Sequence, residues 1–181
     1  MTRLGDFVRF VDGLNERVGR AIAWLTLAMV LITFAVVVLR YVYAIGWVWL
    51  QESYVWLHGV VFMVGAGYTL LHNGHVRVDV FYRPGGARYK AIIDLAGSLL
   101  LLMPLIVMVA FVSFDYVADS WARLEESREA GGLPGLFLLK SVLLLFCGLL
   151  GLQGLSLAAR SLLVLRGHPE FVAADEDAEP V

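Results

Sequence analysis

Four stretches of this chain, residues 21–39, 53–74, 95–114 and 141–159, contain no Asp, Glu, Lys or Arg. Each is 19 to 22 residues long. A helix rising 1.5 Å per residue needs about 20 residues to cross roughly 30 Å of hydrocarbon. A soluble core helix rarely stays uncharged for so long, and four such windows in succession leave one fold class: an all-α integral membrane protein with four transmembrane helices. Charge is scarce as well as segregated, at 17% of 181 residues against about a quarter in a typical soluble domain. Residues 1–165 read as a single four-helix membrane domain. The first window runs into "RYVYAIGW" with no small-x-small cleavage site, so it reads as a retained helix rather than a signal peptide.

Orientation follows from Lys and Arg near the span ends. The N-terminal tail, the loop after span two and the C-terminal tail share one side and carry Arg3, Arg9, Arg17, Arg20, Arg77, Arg83, Arg88, Lys90, Arg160 and Arg166. The opposite side carries Arg40, Arg123, Arg128 and Lys140. This bias places both termini in the cytoplasm and the loops 40–52 and 115–140 outside. Before span one, Leu4, Phe7, Val8, Val11, Leu14 and Val18 recur at helical spacing, with Arg3, Asp6, Asp12, Glu16 and Arg17 over much of the opposite side. Two readings fit: an amphipathic helix lying in the cytoplasmic interface, or an upstream extension of span one. The acidic stretch 166–181, without periodicity, reads as a disordered tail. A net charge of −2 and no basic face exclude nucleic acid as a partner and leave the lipid bilayer.

The densest ionisable cluster, "HNGHVRVDVFYRP" at 72–84, is then the cytoplasmic exit of span two, with Arg77 and Tyr82 as interface residues and Pro84-Gly85-Gly86 as a turn. Within span two, His58, Phe62, Gly65, Thr69 and His72 share one helix face, flanked by Gly59, Ala66 and Gly67. In span four, Cys147, Gly151, Gly154 and Ala158 make a second stripe of small residues beside Gln153. Such stripes let membrane helices approach closely, within the chain or against a partner. Gly97, Ser98 and Pro104 give span three a contact face and a kink. His58 lies below the outer boundary as a hydrogen-bonded structural histidine. A haem would need a facing histidine, and spans one, three and four hold none. His72 and His75 lack a second ligand pair for a metal. The single cysteine, Cys147, is a packing residue. With no charged residue in any span, no nucleophile–base pair and no phosphate-binding loop, the chain reads as neither an enzyme nor a complete carrier, and no cofactor is expected.

The segment "QESYVWLHGVVFMVGAGYTLLHNGHVRVDVFY" resembles the small membrane subunit (DctQ-like, or Q subunit) of tripartite ATP-independent periplasmic (TRAP) transporters. The shared pattern is Glu52, then Phe62, Gly65 and Ala66 in mid-span, then His75, a β-branched pair and Asp79. A second match is "EESREAGGLPGLFLLK", with Glu126, Ser127, Gly132, Leu133, Pro134 and Lys140, and a third is "LLGLQGLS". The similarity runs over roughly residues 15 to 165.

The resemblance implies a non-catalytic scaffold in a sodium-coupled transporter for organic acids (carboxylates), in the bacterial inner membrane. A periplasmic binding protein captures the substrate, a large membrane subunit moves it, and the small subunit packs against the large one. Glu52, His58, Phe62, Gly65, Ala66, Thr69, Gly151 and Gly154 are the expected partner interface, and Glu126, Ser127, Gly132 and Pro134 the expected periplasmic loop. His75 donating to Asp79 or to a backbone carbonyl would fix the inner exit of span two. Two other classes fit the composition: a cytochrome b-like subunit of a redox complex, and an assembly or signalling protein.

Overall fold

In a computed structural model the chain is described over residues 3–76 and 79–172, the side chains of Asp79, Phe81 and Pro169 excepted. The elements are α1 (Arg3–Val42), α2 (Val48–Leu71), α3 (Asp79–Tyr82), α4 (Ala87–Gly97), a π turn (Ser98–Leu102), α5 (Met103–Ala122), α6 (Leu136–Leu165) and a closing 3-10 turn (Pro169–Phe171). Four helical rods, with α4, the π turn and α5 forming one of them, are long and apolar enough to cross a membrane. Each corresponds to one charge-free window. The loops 43–47 and 123–135 gather at one end of the bundle, the loop end, and the first and last described residues, Arg3 and Val172, lie at the other, the termini end.

Helix α1 is unbroken for 40 residues, about 60 Å by helical rise, which is twice the hydrocarbon thickness. Of the two readings of residues 3–20, the extension of span one is the one the fold adopts. No proline interrupts this stretch, and its apolar stripe is covered by protein instead of lipid. Val8 packs with Ala159 and Leu163 of α6, flanked by Leu4, Phe7 and Phe171. Phe171 also brings order to the start of the C-terminal segment, because its ring joins that cluster. The remainder of the tail, 173–181, lies outside the described residues.

Three helix ends share one termination device. At α2, Asn73 takes φ 53° while Asn73 N–H donates to Leu70 O and Gly74 N–H to Thr69 O. This Schellman pattern explains why α2 ends at Leu71, short of the charge-free window. Leu124 with Glu125 ends α5 in the same way, and Gly167 with His168 ends α6. In span three the irregularity expected at Pro104 takes the form of the π turn, in which Met103 N–H reaches back to Ser98 O. The widened turn accommodates a proline that lacks an N–H and crowds the carbonyl four residues before it.

Helix α6 is the inner helix and touches α1, α2, α4 and α5. Half of its apolar window is buried, whereas none of the α1 window is. A helix apolar on all sides suits that central position. Ile106, Cys147 and Leu150 form the core between α5 and α6, with Ala66 and Leu70 of α2 against it. In lipid no hydrophobic force drives helix to helix, so close packing and interhelical hydrogen bonds do that work. Ser98 Oγ donates to Gly154 O at 2.6 Å. A methyl group at Gly154 would stand 2.8 Å from Leu102 Cδ2.

Candidate functional site

Two polar constellations close the bundle, one at each end. At the loop end, Glu52 stands in the second turn of α2. Its carboxylate accepts hydrogen bonds from the Ser127 hydroxyl and, at 2.6 Å, from the backbone N–H of Leu133. Ser127 N–H in turn donates to Leu133 O at 3.2 Å, so the loop is folded around one carboxylate. A methyl group at Gly132 would lie 2.5 Å from Ser127 Oγ and 2.7 Å from Glu52 Oε2. Glycine is therefore the residue that allows this approach. Each hydrogen bond to the carboxylate is charge-assisted and contributes about 1.5–3 kcal/mol.

Beside this clasp, the Glu125 carboxylate accepts from Lys140 Nζ and, at 2.8 Å, from Ser120 Oγ. The Lys140 ammonium also sits 3.9 Å from the Tyr116 ring centroid. Trp121 packs edge-on against Phe137 at 4.6 Å, and its indole N–H donates to Ser141 Oγ at 2.7 Å. Trp47 and Trp49 stack at 6.0 Å. Clustered aromatic side chains of this kind suit a membrane–water interface.

The hydrogen bond from Lys140, and after it that from Ser120, holds the Glu125 carboxyl below its usual value of 4.5. A carboxyl with a depressed folded-state pKa contributes stability above its unfolded value and loses it as pH falls through the folded value. Amide exchange in loop 123–135 should therefore accelerate on acidification below the ordinary carboxylate range. Glu125→Gln should remove that acid dependence and raise exchange at neutral pH. An identical acid response in wild type and Glu125→Gln would show that the loop is held otherwise.

At the termini end, Asp12 of α1 is the hub. Its Oδ1 accepts from Gln153 Nε2 and from Ser156 Oγ, both at 2.9 Å, and its Oδ2 pairs with the Arg160 guanidinium. Gln153 Oε1 accepts from Asn15 Nδ2 at 2.8 Å. Asn15 is fully buried, and its Oδ1 has no hydrogen-bond donor among the described residues. That oxygen lies against Gly67 of α2, where a methyl group would stand only 2.2 Å away. One turn on, Glu16 binds Arg20 at 2.6 Å and His72 at 2.7 Å. Gly19 makes room for the Tyr68 ring, which meets a would-be methyl at 2.1 Å. Beside this cluster around Asp12, a polar lock between α1 and α6, a cavity of about 210 Å³ opens between α2, α4 and α6, with Lys90, Asp94, Arg160 and Phe171 in its wall. Its Tyr82 hydroxyl donates to Asp94 at 2.8 Å.

The residues singled out in the sequence separate into groups. Glu52, Ser127, Gly132 and Leu133 come together, and Lys140 joins the adjoining Glu125 pair. Glu126 and Pro134 are exposed on the same loop. The glycines of both stripes serve contacts inside the chain: a methyl on Gly65 would meet Ile22 of α1 at 3.3 Å, and one on Gly151 would meet Ile106 of α5 at 3.3 Å. Thr69 turns its hydroxyl onto Gly65 O at 3.0 Å, and Ala66 backs onto the core between α5 and α6. His58 and Phe62 point outward, their rings stacked at 6.3 Å. His75 is exposed, and the side chain of its expected partner Asp79 lies outside the described residues.

Sequence reasoning missed Asp12, Asn15, Gly19 and Arg160. Asp12 was assigned to a solvated face and Arg160 to the positive flank of a span. The buried stripe Val8, Val11, Asn15 and Gly19 is visible in hindsight at spacings of three and four. Among the described residues no group of three His, Cys, Asp or Glu side chains could hold a metal ion. Chemically the two constellations act as ties, because Asp12, Glu16 and Glu125 each face a cation and Glu52 holds a loop.

A family model described as "Tripartite ATP-independent periplasmic transporters, DctQ component" matches residues 29–164, well over half of the chain. The matched region begins inside the membrane part of α1 and ends at the last turn of α6. It includes the Glu52 clasp and leaves out the α1 half of the polar lock, Asp12 to Gly19. Comparison with curated proteins and with solved structures returns no match.

Proposed function

Because the chain belongs to the DctQ component family of tripartite ATP-independent periplasmic transporters, we propose that it is the small scaffold subunit of a sodium-coupled carboxylate importer. It is a multi-pass membrane transport component. In this reading it sits in the bacterial inner membrane with both termini in the cytoplasm. It packs against a large membrane subunit that carries substrate and sodium, while a periplasmic protein delivers the organic acid.

The observation that carries the scaffold role is where the chain keeps its charge. The four apolar windows hold no Asp, Glu, Lys or Arg, and the interior carboxylates Asp12 and Glu125 are committed to Arg160 and Lys140 at the two ends. A carboxylate entering among the charge-free windows of these helices would lose its hydration and meet no Lys or Arg there, at a cost of several kcal/mol. A rigid bundle tied at both ends is instead suited to hold a neighbour in a stable orientation.

Reconstitution in liposomes under an inward sodium gradient, with the binding protein present, tests the reading. Uptake of a labelled carboxylate should require both membrane chains and should be absent with this chain alone. Substrate transport by this chain alone would overturn the scaffold role, as would full activity of the large subunit without it.

A further inference from the structure

Helices α2, α4 and α6 leave a cavity of about 210 Å³ at the termini end, and the groups around it converge on one kind of ligand. Helix α4 begins there. Its N-cap is Gly86, which offers no side-chain hydrogen bond, and a methyl group on Gly86 would meet nothing within 4 Å. The first hydrogen bond of α4 runs from Lys90 N–H to Gly86 O at 3.0 Å. The N–H groups of Ala87, Arg88 and Tyr89 therefore have no carbonyl behind them in the helix. Gly86 and Ala87 both line the cavity, so the positive end of α4 opens into it.

The facing wall holds a buried hydroxyl with no partner. Ser161 of α6 is only 4% exposed and lines the cavity, yet it makes no hydrogen bond among the described residues. Ser53 and Ser141, also on helices, turn their hydroxyls onto the carbonyl four residues back, and Ser161 does not. Buried polar groups in native proteins are nearly always answered, and here the answer has to come from what enters the cavity. Two cations stand in the same wall. Arg160 gives one amino group to Asp12, out of the five N–H donors a guanidinium carries. The Lys90 ammonium lies 5.5 Å from the Tyr82 ring centroid. The carboxylate in the wall, Asp94, accepts from the Tyr82 hydroxyl and stands two turns in from the start of α4.

We propose that this cavity is a binding site for a phosphate group, held by the first amides of α4, by Lys90 and Arg160, and by the Ser161 hydroxyl. Its volume fits a phosphate ester headgroup, since pockets for drug-sized molecules start at about 300 Å³. Leu71, the last residue of α2, borders the cavity together with Val164 and Val172, an apolar side that suits the glycerol end of a phospholipid. Basic pockets between membrane helices take lipid headgroups in this way. A free phosphate ion offers the same oxygens without the tails. The site belongs to this chain alone and stands whether or not a large subunit packs beside it.

The test offers the full chain, in mild detergent, phosphatidylglycerol, diacylglycerol (which lacks the phosphate) or inorganic phosphate, and counts bound adducts by native mass spectrometry. Phosphatidylglycerol should be retained and diacylglycerol should not. Ala87→Glu should cut retention at least roughly tenfold, because the new carboxylate occupies the α4 amides, a placement that favours the helix and leaves the fold intact. Arg88→Gln changes the net charge by the same amount at an exposed neighbour outside the cavity wall. It should cost less than roughly twofold, as a screened surface charge does. Ser161→Ala should lower retention roughly threefold to tenfold with no fall in the unfolding midpoint, since the fold loses no hydrogen bond. Displacement of the lipid by inorganic phosphate would support the phosphate site and assign its source to the free ion, whereas resistance to displacement assigns it to the lipid. Diacylglycerol retained as well as phosphatidylglycerol would overturn the phosphate chemistry. Equal losses in Ala87→Glu and Arg88→Gln would overturn the site in favour of general surface charge. Undiminished retention in Ser161→Ala would overturn the part of the buried hydroxyl, on which the site rests.

Discussion

Arg160→Ala should destabilise the chain by about 3 kcal/mol, because it strands a largely buried carboxylate without its cation. Asp12 and Arg160 have only 19% and 26% of their side-chain surface exposed, and the pair joins α1 to α6 across most of the sequence. Two neutral donors, Gln153 and Ser156, would remain on Asp12, too few to replace a guanidinium. The expected readout is a shift in the unfolding midpoint, followed by helix signal as denaturing detergent is added to mild micelles. Adding Asp12→Asn to Arg160→Ala should recover part of the loss, because the stranded charge disappears while an acceptor oxygen remains. If the double variant is less stable than Arg160→Ala alone, charge pairing is not what holds this junction.

Gly67→Ala should cost about 2–3 kcal/mol, a loss of the size produced by overfilling a packed core. The added methyl would stand 2.2 Å from Asn15 Oδ1 and 3.2 Å from the backbone carbonyl of Leu149. Asn15 cannot simply swing aside, because its Nδ2 is engaged by Gln153 Oε1. The three helices α1, α2 and α6 would have to separate at the point where they meet. Gly148→Ala is the control, since a methyl there meets nothing within 4 Å. It should be neutral, or stabilising by up to about 1 kcal/mol through better helix propensity. Equal midpoints for the two variants would mean that the triple contact is looser than its distances indicate.

Both variants act at a junction that the sequence displayed only in pieces. The charge-free windows located the four membrane helices because length and apolarity are properties of consecutive residues. They need no knowledge of which helix is next to which. Helix ends were less legible: α2 stops at Leu71 because Asn73 adopts a left-handed conformation, a choice made by local hydrogen bonds and not by hydropathy. The loop-end clasp was half visible. Glu52, Ser127, Gly132 and Leu133 stood out as a pattern, while the fact that one carboxylate binds both Ser127 and Leu133 was not in it.

The amino-acid sequence by itself determined that this chain has four helices long and apolar enough to cross a membrane, and it carried the family resemblance in Glu52, in Phe62, Gly65 and Ala66, and in the "EESREAGGLPGLFLLK" segment. Only the tertiary structure decided which faces of those helices meet. Asp12 looked solvated because a polar residue on an amphipathic helix is read against its own helix, and Arg160, 148 positions later, gave no local sign of pairing with it. Likewise one stripe on α2 contained both Gly65, which turns to α1, and His58, which turns outward. Rotation about the helix axis is set by long-range packing, where a few ångströms of approach at Gly19, Gly67 and Gly154 outweigh any local preference.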